Sequence, residues 1–454
     1  MSVVMSETAS TQISHAVRTA KWNAFHASVL FLCLAILILD GFDTALMGYV
    51  APQILQEWGI EKSDLGLAMS AALVGLALGA LASGPLSDRL GRKPIILVSV
   101  LIFGLCCLAT TQATSVAELA WWRFGTGLGI GAAMSNALTI VSEFAPERHK
   151  AFMVNAVFCG FPFGAAMSGV LASWMVPHWG WESVFLLGGA LPLLLFVPLC
   201  RWLPESVLFL LQKPEAHQAI TKTLKRLLGH AWPHRIANTA PRQSVGNPVG
   251  VIVARSRLGA TLLLWLAYFM GLLIFYVVTS WMPILIGEAG YDLRHAALLT
   301  ALFPLGGAVG TLVSGWVMDR LTPHYIVAFN YFMTGVFLFS IAYLSDIYWL
   351  GLAILLAGTV MNGAQASMGS IAALHYPTSA RATGVSWMLG MGRAGGIAGA
   401  MMGASLLQWG LGYQDIFQVL LVPSVLAALA LLGLKQHARR RPKSMADLVP
   451  KEAN

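Results

Sequence analysis

Twelve mostly apolar stretches, each long enough to cross a bilayer as a helix, dominate this sequence. A helix rises about 1.5 Å per residue, so roughly 20 apolar residues cover a hydrocarbon core about 30 Å thick. The predicted spans are residues 25–50, 65–86, 94–112, 117–142, 151–175, 182–203, 258–286, 296–318, 324–345, 348–373, 383–408 and 413–434. Only 11% of the residues are charged, against about 25% in ordinary soluble chains, which excludes a water-soluble multi-domain enzyme, a disordered chain and a disulfide scaffold. Runs this long do not match the short alternating strands of a membrane barrel. The expected fold class is an all-α polytopic membrane protein. The first run is too long for a signal-peptide core and is read as a retained helix.

The basic residues fix a topology. With the N-terminus inside, the inside loops hold Arg89, Arg92, Lys93, Arg148, Lys150, Arg320 and Arg381, together with the long central loop and the tail. The outside loops hold only Lys62 and Arg294. By the positive-inside rule both termini are expected in the cytoplasm. The net charge of +8 then reflects topology and not nucleic-acid binding. The expected division is a cytoplasmic segment 1–24, a six-helix bundle 25–203, a basic linker 204–257 suited to anionic lipid, a second six-helix bundle 258–434 and a basic tail 435–454. Cys33, Cys106, Cys107, Cys159 and Cys200 sit in apolar runs without metal-ligand spacing, so they read as packing residues. No metal and no cofactor are expected beyond a proton gradient.

The two halves resemble each other at a constant offset of 231 residues. Asp88-Arg89-Leu90 matches Asp319-Arg320-Leu321, and Lys150-Ala151 matches Arg381-Ala382. Gly84, Gly127 and Gly164 match Gly315, Gly358 and Gly395. A polar triplet repeated in equivalent loops is hard to obtain by chance. Two parallel six-helix repeats place substrate between the halves near the bilayer midplane.

The loop G-P-L-S-D-R-L-G-R-K-P at 84–94 resembles the signature loop of the major facilitator superfamily, and its second-half copy at 315–324 is degenerate. That resemblance implies a conformational latch, so Asp88, Arg89, Arg92, Asp319 and Arg320 are assigned to gating, with His324 and Arg381 at the same cytoplasmic level.

Ionisable groups at membrane depth cost about 2.5–3.5 kcal/mol each on insertion scales and are functional candidates by default. Asp40 and Asp43, in D-G-F-D, share one helix face, and a carboxylate whose surroundings change can take up and release a proton. The alternative is a structural ion pair with Arg123. Arg393, in G-M-G-R-A-G-G, lies near the middle of its span. Its guanidinium fork suits a carboxylate ligand, or else pairs with Asp40 or Asp43. Glu143 is open between proton relay and pairing with Arg148. Asn155, Gln365, Tyr276 and Trp387 are candidate substrate contacts, with helix bridging the alternative for Asn155 and Gln365.

The stretches D-G-F-D-T-A-L-M-G at 40–48, R-F-G-T-G-L-G at 123–129, S-E-F-A-P-E-R at 142–148, N-G-A-Q at 362–365 and R-A-T-G-V-S-W-M-L-G-M-G-R at 381–393 extend the resemblance. The chain resembles the aromatic acid:proton symporters of bacteria. This implies import of an aromatic carboxylate with a proton, by alternating access, in the bacterial inner membrane. It carries importance onto Asp40, Asp43, Asp88, Arg123, Glu143, Asp319, His324, Arg381 and Arg393. A monomer is expected, with a small aromatic acid, protons and lipid as partners and no nucleic acid. The alternatives are a symporter for a phenoxy or aliphatic acid, and a membrane sensor without transport. No catalytic constellation is present, and an enzyme is not expected.

Overall fold

The computed structural model describes residues 13, 16–211, 217–228, 248–318, 320–376 and 380–440. Twelve long helices cross back and forth: α1 Ala24–Trp58, α2 Leu65–Leu90, α3 Arg92–Thr110, α4 Val116–Phe144, α5 Lys150–Trp179, α6 Glu182–Trp202, α7 Arg255–Glu288, α8 Leu293–Met318, α9 Pro323–Ile341, α10 Ile347–His375, α11 Arg381–Gln408 and α12 Leu421–Arg440. A short helix, Tyr413–Val419, precedes α12. The even number of crossings puts the start of α1 and the end of α12 at one end of the bundle, here the terminal end; the opposite is the far end. Among the described residues, eleven membrane-length helices are also apolar enough to span a bilayer. The helix missing from that set is α11, whose glycines and Arg393 lower its hydropathy.

Local chemistry sets the helix ends. Asn23 Oδ1 accepts from the backbone N–H of Phe25 and His26, and Asp346 caps α10 in the same way at Tyr348 and Trp349. Such caps satisfy orphan donors of the first turn. Helix α1 runs past the expected residue 50 and through Pro52 to Trp58, where Gly59 at φ 61° ends it; that left-handed geometry suits glycine. The linker region carries short helices Val207–Leu210, His217–Leu228 and Pro248–Ile252. The second of these docks on the start of α1, where Asn23 Nδ2 donates to the Leu227 carbonyl at 2.7 Å.

The internal repeat is visible as packing. In the first half α1 lies on α5, α2 on α4 and α3 on α6; in the second, α7 lies on α11, α8 on α10 and α9 on α12. The crossing points repeat residue by residue. A Cβ on Gly164 would meet the Ile38 carbonyl oxygen at 1.9 Å, and one on Gly395 would meet the Phe269 oxygen at 2.3 Å. Gly127 against Ala72 and Gly358 against Phe303 give 1.9 and 1.8 Å. All four partners obey the 231-residue offset. Small residues at these points let helices approach backbone to backbone, which is how membrane helices associate where lipid removes the hydrophobic drive. Between the halves α5 meets α8, α2 meets α11 and α1 meets α7.

The outer surface is apolar, with exposed Leu81, Leu194 and Leu312 along the helices. Trp121, Trp179, Trp349 and Trp409 are exposed at the far end, and Trp22, Trp202 and Trp316 at the terminal end. Two aromatic levels are the mark of two membrane–water interfaces.

Candidate functional site

At Gly41 α1 and α5 touch directly; a Cβ there would lie 1.9 Å from the Phe161 carbonyl oxygen. Asp40 and Asp43 flank this crossing, each no more than 1% exposed. Asp43 receives Arg123 from α4. Nη1 donates to Asp43 Oδ1 at 2.7 Å and Nη2 to the Asp43 backbone carbonyl at 3.1 Å. The Cys107 thiol donates to the same Oδ1 at 3.5 Å, and the guanidinium lies 5.6 Å from the Phe185 ring centre. This is a desolvated ion pair, a type in which solvation cost offsets most of the Coulombic gain. Its hydrogen bonding is incomplete, because Asp43 Oδ2 and Arg123 Nε are buried without partners. Asp40 accepts from Thr44 Oγ1 at 3.2 Å through Oδ1, while its Oδ2 is also unpartnered. A cavity lined by Asp43, Thr44, Arg123, Tyr276 and Ser280 adjoins the pair. It holds room for about one water molecule.

Arg393 differs from Arg123. It is half-buried in α11, and among the described residues no carboxylate lies within salt-bridge distance of it. Nη2 points across the interface between halves to the Met134 sulfur on α4, at 3.7 Å. Asp40, Tyr268 and Tyr276 lie within electrostatic reach of the guanidinium. Gln365 on α10 accepts from the Tyr331 hydroxyl of α9 at 2.7 Å.

The remaining candidates lie elsewhere. Arg92 pairs with Glu143 at 3.1 Å and with Asp88 at 3.7 Å, all within the first half at its terminal end. Glu143 therefore pairs with Arg92 and not with Arg148, which is exposed in the 3-10 turn Glu147–His149. Arg89 is exposed, and Arg320 stacks on the Trp316 ring at 3.9 Å. His324 is half-buried near the start of α9. Arg381 opens α11, and Asp319 lies outside the described residues. Asn155 is exposed; Trp387 is exposed too and stacks on Trp265 at 5.8 Å.

The named contacts between halves run from Arg393–Met134 toward the far end. There Gly48 backs onto the Thr279 carbonyl, Gly66 onto the Ala404 methyl, and Lys62 pairs with Glu288. Sequence reasoning read Cys107 as a packing residue and passed over Met134, Tyr268 and Tyr331. The only available signal was that Tyr331 interrupts an apolar run with a hydroxyl that must find a partner when buried.

The Major Facilitator Superfamily pattern matches residues 32–400. The chain belongs to the Major Facilitator Superfamily. Among its relatives, the 4-hydroxybenzoate transporter of Pseudomonas putida is 45% identical over 90% of this chain and 93% of its own length. The gallate transporter of the same species is 42% identical over 92% and 93%. The benzoate transport protein of Acinetobacter baylyi is 29% identical over 96% and 95%. Among solved structures, the Escherichia coli xylose transporter in a partially occluded inward open conformation has TM-score 0.72 at 17% identity, covering 90% of this chain and 98% of that one. This superfamily member is therefore a transporter by fold and kinship, not an enzyme.

Proposed function

We propose that the protein imports an aromatic carboxylate together with a proton across the bacterial inner membrane, working as a monomer with both termini in the cytoplasm. The observation that carries this reading is the unpaired Arg393 guanidinium at the interface between halves. Asp43 already neutralises Arg123, so Arg393 is the cation left to take an anion. A guanidinium binds a carboxylate through two parallel hydrogen bonds, and Tyr276 beside it offers an aromatic wall. The kinship with hydroxybenzoate, gallate and benzoate transporters supports a ring on the acid.

Asp40 is the proton carrier in this scheme. It is buried, and among the described residues one oxygen is free of hydrogen bonds while the other accepts from the neutral Thr44 hydroxyl. Protonation removes the cost of its buried charge, and Arg393 within electrostatic reach links its state to the bound anion. Asp43 and Arg123 hold α1 to α4 around it. The meeting of the halves at the far end suits an inward-facing state, with Lys62–Glu288 as an outer gate and the cluster around Asp88, Arg89, Arg92 and Glu143, with Asp319, Arg320, His324 and Arg381, as the inner gate.

The test is uptake of labelled 4-hydroxybenzoate, gallate and benzoate into proteoliposomes. Accumulation driven by an inward proton gradient is expected, and uptake indifferent to the gradient removes the coupling. Asp40→Asn should lose gradient-driven accumulation while keeping exchange of internal for external acid. Arg393→Lys should weaken uptake of every acid.

A further inference from the structure

We infer that the first half carries a seat for an anionic phospholipid of the leaflet at the terminal end, which is the cytoplasmic leaflet in the topology proposed above. Lys93, Lys222 and Arg226 hold the phosphate, and the acyl chains run along α3 and α6. The linker helix His217–Leu228 supplies two of the three cations. Its residues Ile220, Leu224 and Leu227 are buried and join one apolar cluster with Leu203, Val207, Leu210 and Leu211. Lys222, Lys225 and Arg226, at spacings of three and four, share the opposite face and are exposed. The apolar stripe of this amphipathic helix is therefore used up on protein, and what it presents outward is positive charge.

Lys93, in the first turn of α3, meets that charged face. Its Nζ donates to the Cys200 carbonyl in the last turn of α6 at 2.7 Å and lies within electrostatic reach of both Lys222 and Arg226. Among the described residues no carboxylate lies within salt-bridge distance of any of the three. Glu205 is the one acid within electrostatic reach of Lys93, and its carboxylate is engaged with the backbone N–H groups of Arg92, Lys93 and Ser206. Three cations drawn together repel one another, and an anion seated among them relieves that repulsion.

The surface beside the cluster says which anion. Helix α3 packs on α6, and their outer faces expose Val98 on the one and Leu194 and Val197 on the other. On α6 the same stripe ends in exposed Arg201, one turn beyond Val197. Trp202, exposed next to it, marks the level of the membrane–water interface. An apolar strip that ends in cations at headgroup depth has the amphipathic pattern of a phospholipid, and basic pockets at this level take phospholipid headgroups. Ammonium and guanidinium groups bind phosphate oxygens through charge-assisted hydrogen bonds. A free phosphate would match the cations alone.

The test titrates the full chain in detergent micelles with phosphatidylglycerol and with phosphatidylcholine of the same acyl chains, and reads lipid adducts by native mass spectrometry. Each Lys or Arg beside an anionic lipid is worth roughly fivefold in binding. The wild type should retain phosphatidylglycerol at least about tenfold more tightly than phosphatidylcholine. Lys222→Ser/Arg226→Ser should weaken phosphatidylglycerol by about twentyfold and leave phosphatidylcholine unchanged. Arg255→Ser, which removes an exposed cation at the same end of the second half, should bind like the wild type. Equal retention of the two lipids by the wild type, a double variant that keeps its preference, or an equal loss in Arg255→Ser overturns the inference. Displacement of phosphatidylglycerol by millimolar inorganic phosphate also overturns it, because the seat then belongs to a free anion. If the double variant does not fold, Lys222→Ser alone decides, with about a fivefold loss expected and no loss overturning the inference.

Discussion

Arg123 grips Asp43 twice, once at the carboxylate and once at the backbone carbonyl of the same residue. The second bond holds the α1 backbone and not only its side chain, so the pair fixes the position of α1 against α4 next to Asp40. Removing one partner of a buried ion pair strands the other charge, at about 3–5 kcal/mol. Asp43→Asn and Arg123→Gln should each lower unfolding stability in detergent by about that much. The double variant strands no charge, and its loss should fall short of the sum by about 1–3 kcal/mol. Strict additivity in a denaturation cycle would show that the two side chains act independently.

The repeat makes a prediction about glycines. Gly164→Ala and Gly395→Ala place a methyl against a backbone carbonyl at matched crossings of α1–α5 and α7–α11. Overpacking of this kind costs about 1–3 kcal/mol. Gly315→Ala meets nothing within 4 Å and exchanges a poor helix former for the best one, a gain of up to about 1 kcal/mol. Thermal unfolding of the three variants should separate into two losses and one neutral or positive change.

How much of this could be read from the chain follows from where the information is local. Apolar length placed all twelve helices, since a span is a property of one segment, although Arg393 and the glycines of α11 weaken its apolar signal. Asp40, Asp43, Arg123 and Arg393 stood out by their cost in lipid. The Asp43–Arg123 pair was among the readings the sequence offered, but the contact of Arg393 was not, because partnership depends on helix rotation and depth, which no single segment encodes. Glu143 shows this: Arg148 is near in sequence, but the chain turns away after Phe144, and Arg92 reaches Glu143 from the start of α3. Tyr331 was missed because α9 otherwise reads as an apolar helix.

Glu205 caps a helix it does not belong to. Its carboxylate accepts from the backbone N–H of Arg92 and Lys93 at 2.9 and 3.3 Å, and from Ser206 at 2.8 Å. A negative group at a helix N-terminus satisfies orphan donors and opposes the helix dipole. Loss of such a cap typically costs about 1 kcal/mol. Glu205→Ala should lower stability by that order and loosen the start of α3, seen as faster hydrogen exchange of the Ile95 and Ile96 amides. Glu205→Gln keeps an acceptor and should recover part of the loss.

At the far end Lys62 of the α1–α2 loop pairs with Glu288 at the end of α7, so one ion pair joins the two halves where they must part for the transporter to face outward. Both side chains are partly exposed, at 42% and 26%, and pairs of this kind are worth about 0.2–1 kcal/mol. Lys62→Glu puts two acids face to face and should raise the outward-facing population severalfold. Glu288→Lys should do the same through two cations. The exchange Lys62→Glu/Glu288→Lys restores opposite charges and should return the population to that of the wild type. Double electron–electron resonance between spin labels on the far ends of α2 and α8 would measure this, and a double exchange that stays as open as either single reversal would show that the pair does not hold the halves together.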